Sequence, residues 1–331
     1  MISKKRITGQ VLVIVIQESE SSLVFREEAV ECRETVEIAR SSGLLVFDTV
    51  KIRVQKPTSR YYIGKGKVEE IQKLLSGKPE IASVVLSREI SPSQQRNLET
   101  FWQKSVLTKN ELIHAIFAAR ALTAEGKIKV ELAGLKYQYS RLPGKGKDMS
   151  RTGAGIGTRG PGEQKIEANR REIKDRIVRL SRKLEKINQR RALNKATRLS
   201  GNIPLVAIVG YTNAGKSTLF NALTGARVFV QSRMFATLHP TVRKRFIPSC
   251  GEVLFADTVG FLRDMPTTLK DAFRATIEEI KDADLIIELI DITDPAYYLH
   301  YQVIDQTLCE IGASKVPRII VFNKCDLTPD F

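Results

Sequence analysis

Apolar residues run without a break from Val11 to Ile16, and residues 81–86 are apolar but for Ser83, each run being the length of a strand covered on both faces. Between them, apolar positions at helical spacing predict one helix over 22–42 and a second over 67–75. Strand, helix and strand in that order predict a small α/β unit with a parallel sheet over residues 1–105.

The pattern then changes. A helical stretch opens at Asn110, and from Ile128 the apolar positions Ile128, Leu132, Leu135, Tyr139 and Leu142 recur at steps of 4, 3, 4 and 3. Ile173, Ile177, Leu180, Leu184 and Ile187 repeat the same steps. Two heptad seams joined by a loop predict an antiparallel helical hairpin over 106–200, each helix covering the other's stripe. Its tip, 143–162, holds seven glycines with Lys145, Lys147, Arg151 and Arg159. Such a loop makes no core of its own, and glycine lets the backbone approach another surface closely. It is expected either to lack fixed structure or to be shaped for a partner. Gly155, Gly157 and Gly160 match G-x-G-x-x-G, but no strand precedes them, so a dinucleotide-binding reading fails its structural condition.

At 331 residues with 42% hydrophobic composition, the chain is long enough for two or three cores. No apolar run approaches the roughly 18 residues of a membrane span, and the charged start leads only into the short run at Val11, so neither a span nor a signal peptide is expected. Cys32, Cys250, Cys309 and Cys325 are scattered and there are three histidines, which argues for a reducing cytoplasm and against structural zinc. Lys plus Arg outnumber Asp plus Glu by 53 to 37, for a net charge of +16. Residues 141–200 alone hold 18 basic against 6 acidic residues, so the charge is concentrated in the hairpin. A polyanionic partner is expected there.

The third segment, 201–331, carries the candidate chemistry. An apolar strand over 204–209 leads into Gly210, Tyr211, Thr212, Asn213, Ala214, Gly215, Lys216 and Ser217, and a helical pattern continues from Thr218. This is G-x-x-x-x-G-K-[ST] in its strand–loop–helix context. Backbone N–H groups surround phosphates, Lys216 supplies charge to the β- and γ-phosphates, and the Ser217 hydroxyl suits Mg²⁺. A second strand ends at Asp257, Thr258, Val259 and Gly260, a D-x-x-G placed to hold Mg²⁺ through water and to sense the γ-phosphate. A third precedes Asn323, Lys324, Cys325 and Asp326. The Asp326 carboxylate accepts two hydrogen bonds from the guanine edge, where adenine has no matching donors, so the nucleotide is GTP or GDP. Phe235, Ala236, Thr237, Leu238 and His239 form the candidate switch loop, with Thr237 closing on Mg²⁺ when a γ-phosphate is present. The segment is expected to be a Ras-like P-loop GTPase domain, an enzyme hydrolysing GTP. Phe261 stands where many such enzymes have a water-orienting Gln, so no catalytic residue is assigned and slow intrinsic turnover is expected. His239 is a tempting general base, but a lone loop histidine is more often incidental.

Beyond the G motifs, the chain resembles the HflX family of ribosome-associated GTPases along nearly all its length. The resemblance rests on Tyr62-Ile63-Gly64-Lys65-Gly66-Lys67, on the run from Ser91 to Glu99, and on Glu125-Gly126-Lys127 leading to Val130-Glu131-Leu132-Ala133. It rests also on the run from Gly155 to Glu163 and on Phe235-Ala236-Thr237-Leu238. The resemblance implies a protein that binds the large ribosomal subunit and its rRNA and splits stalled or idle ribosomes; a monomer is expected. It carries Ser217 and Thr237 over as Mg²⁺ ligands. His239 departs from the family's usual Asp. The family pattern continues past position 331 with an S-A-K-type guanine loop, so the G domain is expected to be incomplete at its C-terminal end. A ribosome-assembly GTPase, or a non-enzymatic RNA-binding protein switched by nucleotide, remains an alternative.

Overall fold

The computed structural model describes residues 9–18, 25–121, 123–142, 161–200, 203–226, 234–235, 241–263, 265–271 and 278–328. A four-stranded parallel sheet forms the front unit, from β1 (Gln10–Glu18), β2 (Leu45–Val54), β3 (Ile81–Leu86) and β4 (Ser105–Thr108), in the order β2-β1-β3-β4. β1 has a strand on either side and helices over both faces, which is why it reads as one apolar run. Its residues divide by the strand period of two. Val11, Val13 and Val15 face α1 (Phe25–Ser41) and α4 (Lys109–Arg120), while Leu12, Ile14 and Ile16 face α2 (Lys65–Ser76) and α3 (Pro92–Trp102). Trp102 closes the second layer, its indole N–H donating to the Val68 carbonyl at 3.0 Å.

β2, β4 and α3 go beyond the elements read from the pattern. β2 is an edge strand whose only fully covered residues are Ile52 and Val54, so its alternation is weak. The α3 start does carry a local signal: Pro92 opens the helix, and Ser91 and Gln94 form a capping box. α4, which the sequence groups with the hairpin segment, buries Leu112, Ile113, Ile116 and Phe117 in the same cluster as the front sheet.

α5 (Ala124–Arg141) and α6 (Pro161–Ser200) form the hairpin. All the predicted seam residues but Ile187 meet in one cluster, with Leu132, Leu135, Ile173 and Leu180 buried and Ile128, Tyr139, Leu142, Ile177 and Leu184 packed around them. Arg170 lies over the Tyr139 ring while Arg176 pairs with Glu131, so contacts run in opposite sequence directions and the helices are antiparallel. Arg171, Lys174, Arg179, Arg182, Lys183 and Lys186 remain exposed on α6. The glycine-rich tip at 143–160 lies outside the described residues.

The third segment has a five-stranded sheet ordered β6-β7-β5-β8-β9: β6 (Thr241–Ile247), β7 (Gly251–Asp257), β5 (Leu205–Gly210), β8 (Leu285–Asp291) and β9 (Arg318–Asn323). All pairings are parallel except β6 with β7. α7 (Lys216–Thr224) and α8 (Tyr297–Glu310) cover it, in a Ras-like α/β arrangement. This sheet also packs against the front unit. Phe117 of α4 meets Phe235 with ring centroids 4.7 Å apart, and His114 Nε2 lies 3.1 Å from the Thr268 hydroxyl. Among the described residues, no helix is long and apolar enough to cross a membrane.

Candidate functional site

Ligand loops in open α/β sheets gather at the carboxyl ends of parallel strands, and β5, β7, β8 and β9 all deliver theirs to one end. β5 stops at Gly210, and the chain turns through residues 211–215 before α7 begins at Lys216. Gly215 makes that turn at φ +97, and a Cβ there would stand 2.3 Å from the Asn323 amide nitrogen. Only glycine allows both the left-handed backbone and the close approach of the β9 loop. Asn213 also has positive φ, at 64.

The side chains of this loop are held from several directions. Lys216 is buried and its ammonium donates to the Tyr211 carbonyl at 2.7 Å. Burial lowers its pKa to about 8, and the nearby Asp257 carboxylate works in the opposite direction. The Ser217 hydroxyl donates to Asp257 at 2.7 Å, which brings the hard-oxygen groups of the phosphate loop and the D-x-x-G run together. Thr258 donates to the Ile208 carbonyl at 2.7 Å and so fixes β7 against β5. Thr218 is exposed on the first turn of α7, and Ala214 is buried.

The β9 loop meets the phosphate loop directly. Asn323 donates from Nδ2 to the Ala214 carbonyl at 2.8 Å. Lys324 donates to the Asn213 carbonyl at 3.2 Å and to Asp291 at 2.6 Å. Cys325 and Asp326 lie in a single exposed turn just beyond, leaving the Asp326 carboxylate open to a ligand. Asp291 went unread in the sequence, although an acidic residue ending the apolar strand β8 was a usable signal.

Gly260 comes against the loop from the D-x-x-G side, where a Cβ would sit 3.0 Å from both Lys216 Nζ and Thr212 Cα. Val259 and Phe261 are buried in the large core cluster rather than open to the site. Phe235 is likewise only 2% exposed, packed on Phe117. Its companions Ala236, Thr237, Leu238 and His239 lie outside the described residues. The arrangement therefore joins Gly210–Ser217, Asp257–Gly260 and Asn323–Asp326 around one loop and a helix N-terminus, which suits a phosphorylated nucleotide.

Comparison with known proteins matches three family models to successive parts of the chain, the first reaching past position 105 to include most of α4. The family described as GTP-binding GTPase N-terminal matches residues 29–118, GTP-binding GTPase Middle Region matches 120–198, and 50S ribosome-binding GTPase matches 205–324. The chain is 44% identical over 301 residues to GTPase HflX of Caldanaerobacter subterraneus subsp. tengcongensis, covering 91% of this chain and 70% of that relative. To GTPase HflX of Escherichia coli it is 39% identical over 302 residues, covering 91% and 70%. Among solved structures it is similar to the complex of SsGBP with GDP, at 27% identity and TM-score 0.51, covering 96% of this chain and 83% of that one.

Proposed function

Because the chain belongs to the HflX family of GTPases, we propose that it binds the large ribosomal subunit through its rRNA and uses GTP to dissociate stalled or idle ribosomes. It is a GTP-binding protein and a GTP hydrolase. The observation that carries the ribosomal reading is the basic outer face of α6 set on a hairpin whose apolar seam is already satisfied. Lysines and arginines not needed for folding neutralise a phosphate backbone independently of its sequence. The description 50S ribosome-binding GTPase, which belongs to the family matched by residues 205–324, supports the same partner.

In the nucleotide reading, Gly210 to Thr218 cradle the α- and β-phosphates, and Lys216 reaches the β- and γ-phosphates. Asn323 braces the loop while Asp326 receives the guanine edge. Ser217 and Asp257, two hard-oxygen donors in hydrogen-bond contact at the start of α7, fit Mg²⁺. Ser217 would ligate it directly with Thr237, and Asp257 through water. When bound, the ion neutralises charge on the β- and γ-phosphates. The Phe261 side chain offers no hydrogen-bonding group, so a backbone group, a bridging water, a group from elsewhere in the chain or a bound partner orients the attacking water.

Sedimentation of the full chain with 50S subunits and with 70S ribosomes, in GTP, GDP or a non-hydrolysable analogue, tests the proposal. Co-sedimentation with 50S and a nucleotide-dependent loss of the 70S peak are expected. An intact 70S peak under every nucleotide would leave dissociation unsupported, and co-sedimentation with precursor particles alone would favour an assembly role.

A charge variant examines the hairpin separately. Replacing Arg171, Lys174, Arg179 and Arg182 by Gln should weaken 50S binding at unchanged GTP affinity. The slope of log K against log salt should flatten by roughly 0.7 to 0.9 for each phosphate that is no longer neutralised. Arg170 is kept because it covers Tyr139 in the hairpin packing. An unchanged salt slope would make this face an ordinary solvated surface.

A further inference from the structure

Tyr211 is the second residue of the phosphate loop, yet its side chain is committed to the front unit. Its hydroxyl donates to Glu34 Oε1 on α1 at 2.7 Å, across 177 positions of sequence. The other Glu34 oxygen accepts from Lys109, at the start of α4, at 2.8 Å. All three residues are buried. On the far side the His300 ring of α8 stacks on Tyr211, with centroids 3.7 Å apart and planes within 9°. Burial, reinforced by the Glu34 charge, pushes the phenol pKa well above its usual 10, so the hydroxyl stays protonated.

That fixed hydroxyl has one more partner, the backbone N–H of Arg263, which donates to it at 3.0 Å. Arg263 follows the D-x-x-G motif, and the residues between are tied to the phosphate loop as well. Phe261 N–H donates to the Gly210 carbonyl at 3.1 Å, and Thr212 N–H donates to the Phe261 carbonyl at 2.9 Å. Three hydrogen bonds among the described residues hold the path of 261–263 here, and one of them comes from the Tyr211 side chain. A buried ion pair such as Lys109–Glu34 is a weak source of net stability, because desolvation offsets much of its attraction. Its geometric effect is plain: it fixes the acceptor that fixes the tyrosine.

We propose that Glu34 and Tyr211 are positioning residues for GTP hydrolysis, Glu34 holding the Tyr211 hydroxyl and that hydroxyl holding the backbone after Gly260 against the phosphate loop. The Phe261 side chain has no group to orient water, so the placement of the backbone that follows Gly260 bears on the chemical step rather than on ground-state binding. The proposal rests on the reading of Gly210–Ser217 and Asp257–Gly260 as the nucleotide site. It also gives α1 and α4 of the front unit a direct mechanical line to that site.

The test uses the full chain as wild type, Tyr211→Phe, Glu34→Gln and the double variant, with single-turnover GTP hydrolysis and fluorescent-analogue binding of GTP and GDP. Tyr211→Phe keeps the ring and its stack on His300, so it removes one hydrogen-bonding atom from a packed fold. The hydrolysis step should slow about tenfold, the effect of roughly 1.4 kcal/mol, while GTP and GDP affinities stay near wild type. Glu34→Gln should slow the same step, and the double variant should be no slower than the slower single one, because both changes act on one hydroxyl. Wild-type rates in Tyr211→Phe, losses confined to nucleotide affinity, or strictly multiplicative effects in the double variant would overturn the assignment. Failure of the wild type itself to bind GTP would instead sink the reading of the site.

Discussion

Lys216→Ala is expected to abolish tight binding of GTP while leaving the nucleotide-free fold intact. In this structure the ammonium is buried at the mouth of α7, donating to the Tyr211 carbonyl beside Asp257. Its interactions with two phosphates are charge-assisted and desolvated, worth together on the order of 3 to 5 kcal/mol, or roughly a hundred- to several-thousand-fold in affinity. The fold loses little, since the desolvation of the buried ammonium offsets much of what its hydrogen bond to Tyr211 contributes. Retention of GTP affinity within a few-fold of wild type would remove Lys216 from the phosphate site.

The same residue gives a proton-linked result. With its pKa near 8 in the nucleotide-free protein, Lys216 is largely neutral at pH 9, and phosphate charge restores the ammonium. GTP binding at pH 9 should therefore take up a proton in the wild type, and the variant should show none at this position. Calorimetry in two buffers of different ionisation enthalpy measures it. The stability sign follows from the same shift. Between pH 8 and 10.5 the unfolded lysine holds a proton that the folded one has released, so this group adds stability as pH rises through that window. Uptake that is equal in wild type and variant would place the titrating group elsewhere.

Asp326→Asn should lower GTP affinity by about a hundredfold and leave the weak affinity for ATP where it was. The exposed carboxylate beyond β9 is free to accept from guanine N1–H and the 2-amino group together, a bidentate charge-assisted contact worth about 3 kcal/mol. An amide keeps one acceptor and presents donors where guanine also has donors. It matches xanthine better, whose 2-oxo group accepts, so xanthosine triphosphate should gain relative to GTP. Equal losses for GTP and ATP would mean that the turn at 325–327 shapes the loop without reading the base.

The phosphate loop, the D-x-x-G run and the Asn323–Asp326 turn were legible in the sequence because each is a few contiguous residues whose chemistry demands a fixed order. The heptad seams of α5 and α6 were legible for a similar reason: helical spacing alone places Leu132, Leu135, Ile173 and Leu180 on facing stripes, and they do bury one another. The buried run at Val11 marked the central strand, since a strand covered on both faces has no polar side to show. Edge strand β2 has such a side and passed unread. Tertiary structure alone decided that Phe235 packs on Phe117, and that Glu34, Lys109, Tyr211 and Arg263 form one chain of contacts. Those partners come from separate helices and loops, up to 177 positions apart. Local periodicity carries information only about neighbours on one element, whereas which elements touch is set by how whole layers bury their apolar faces.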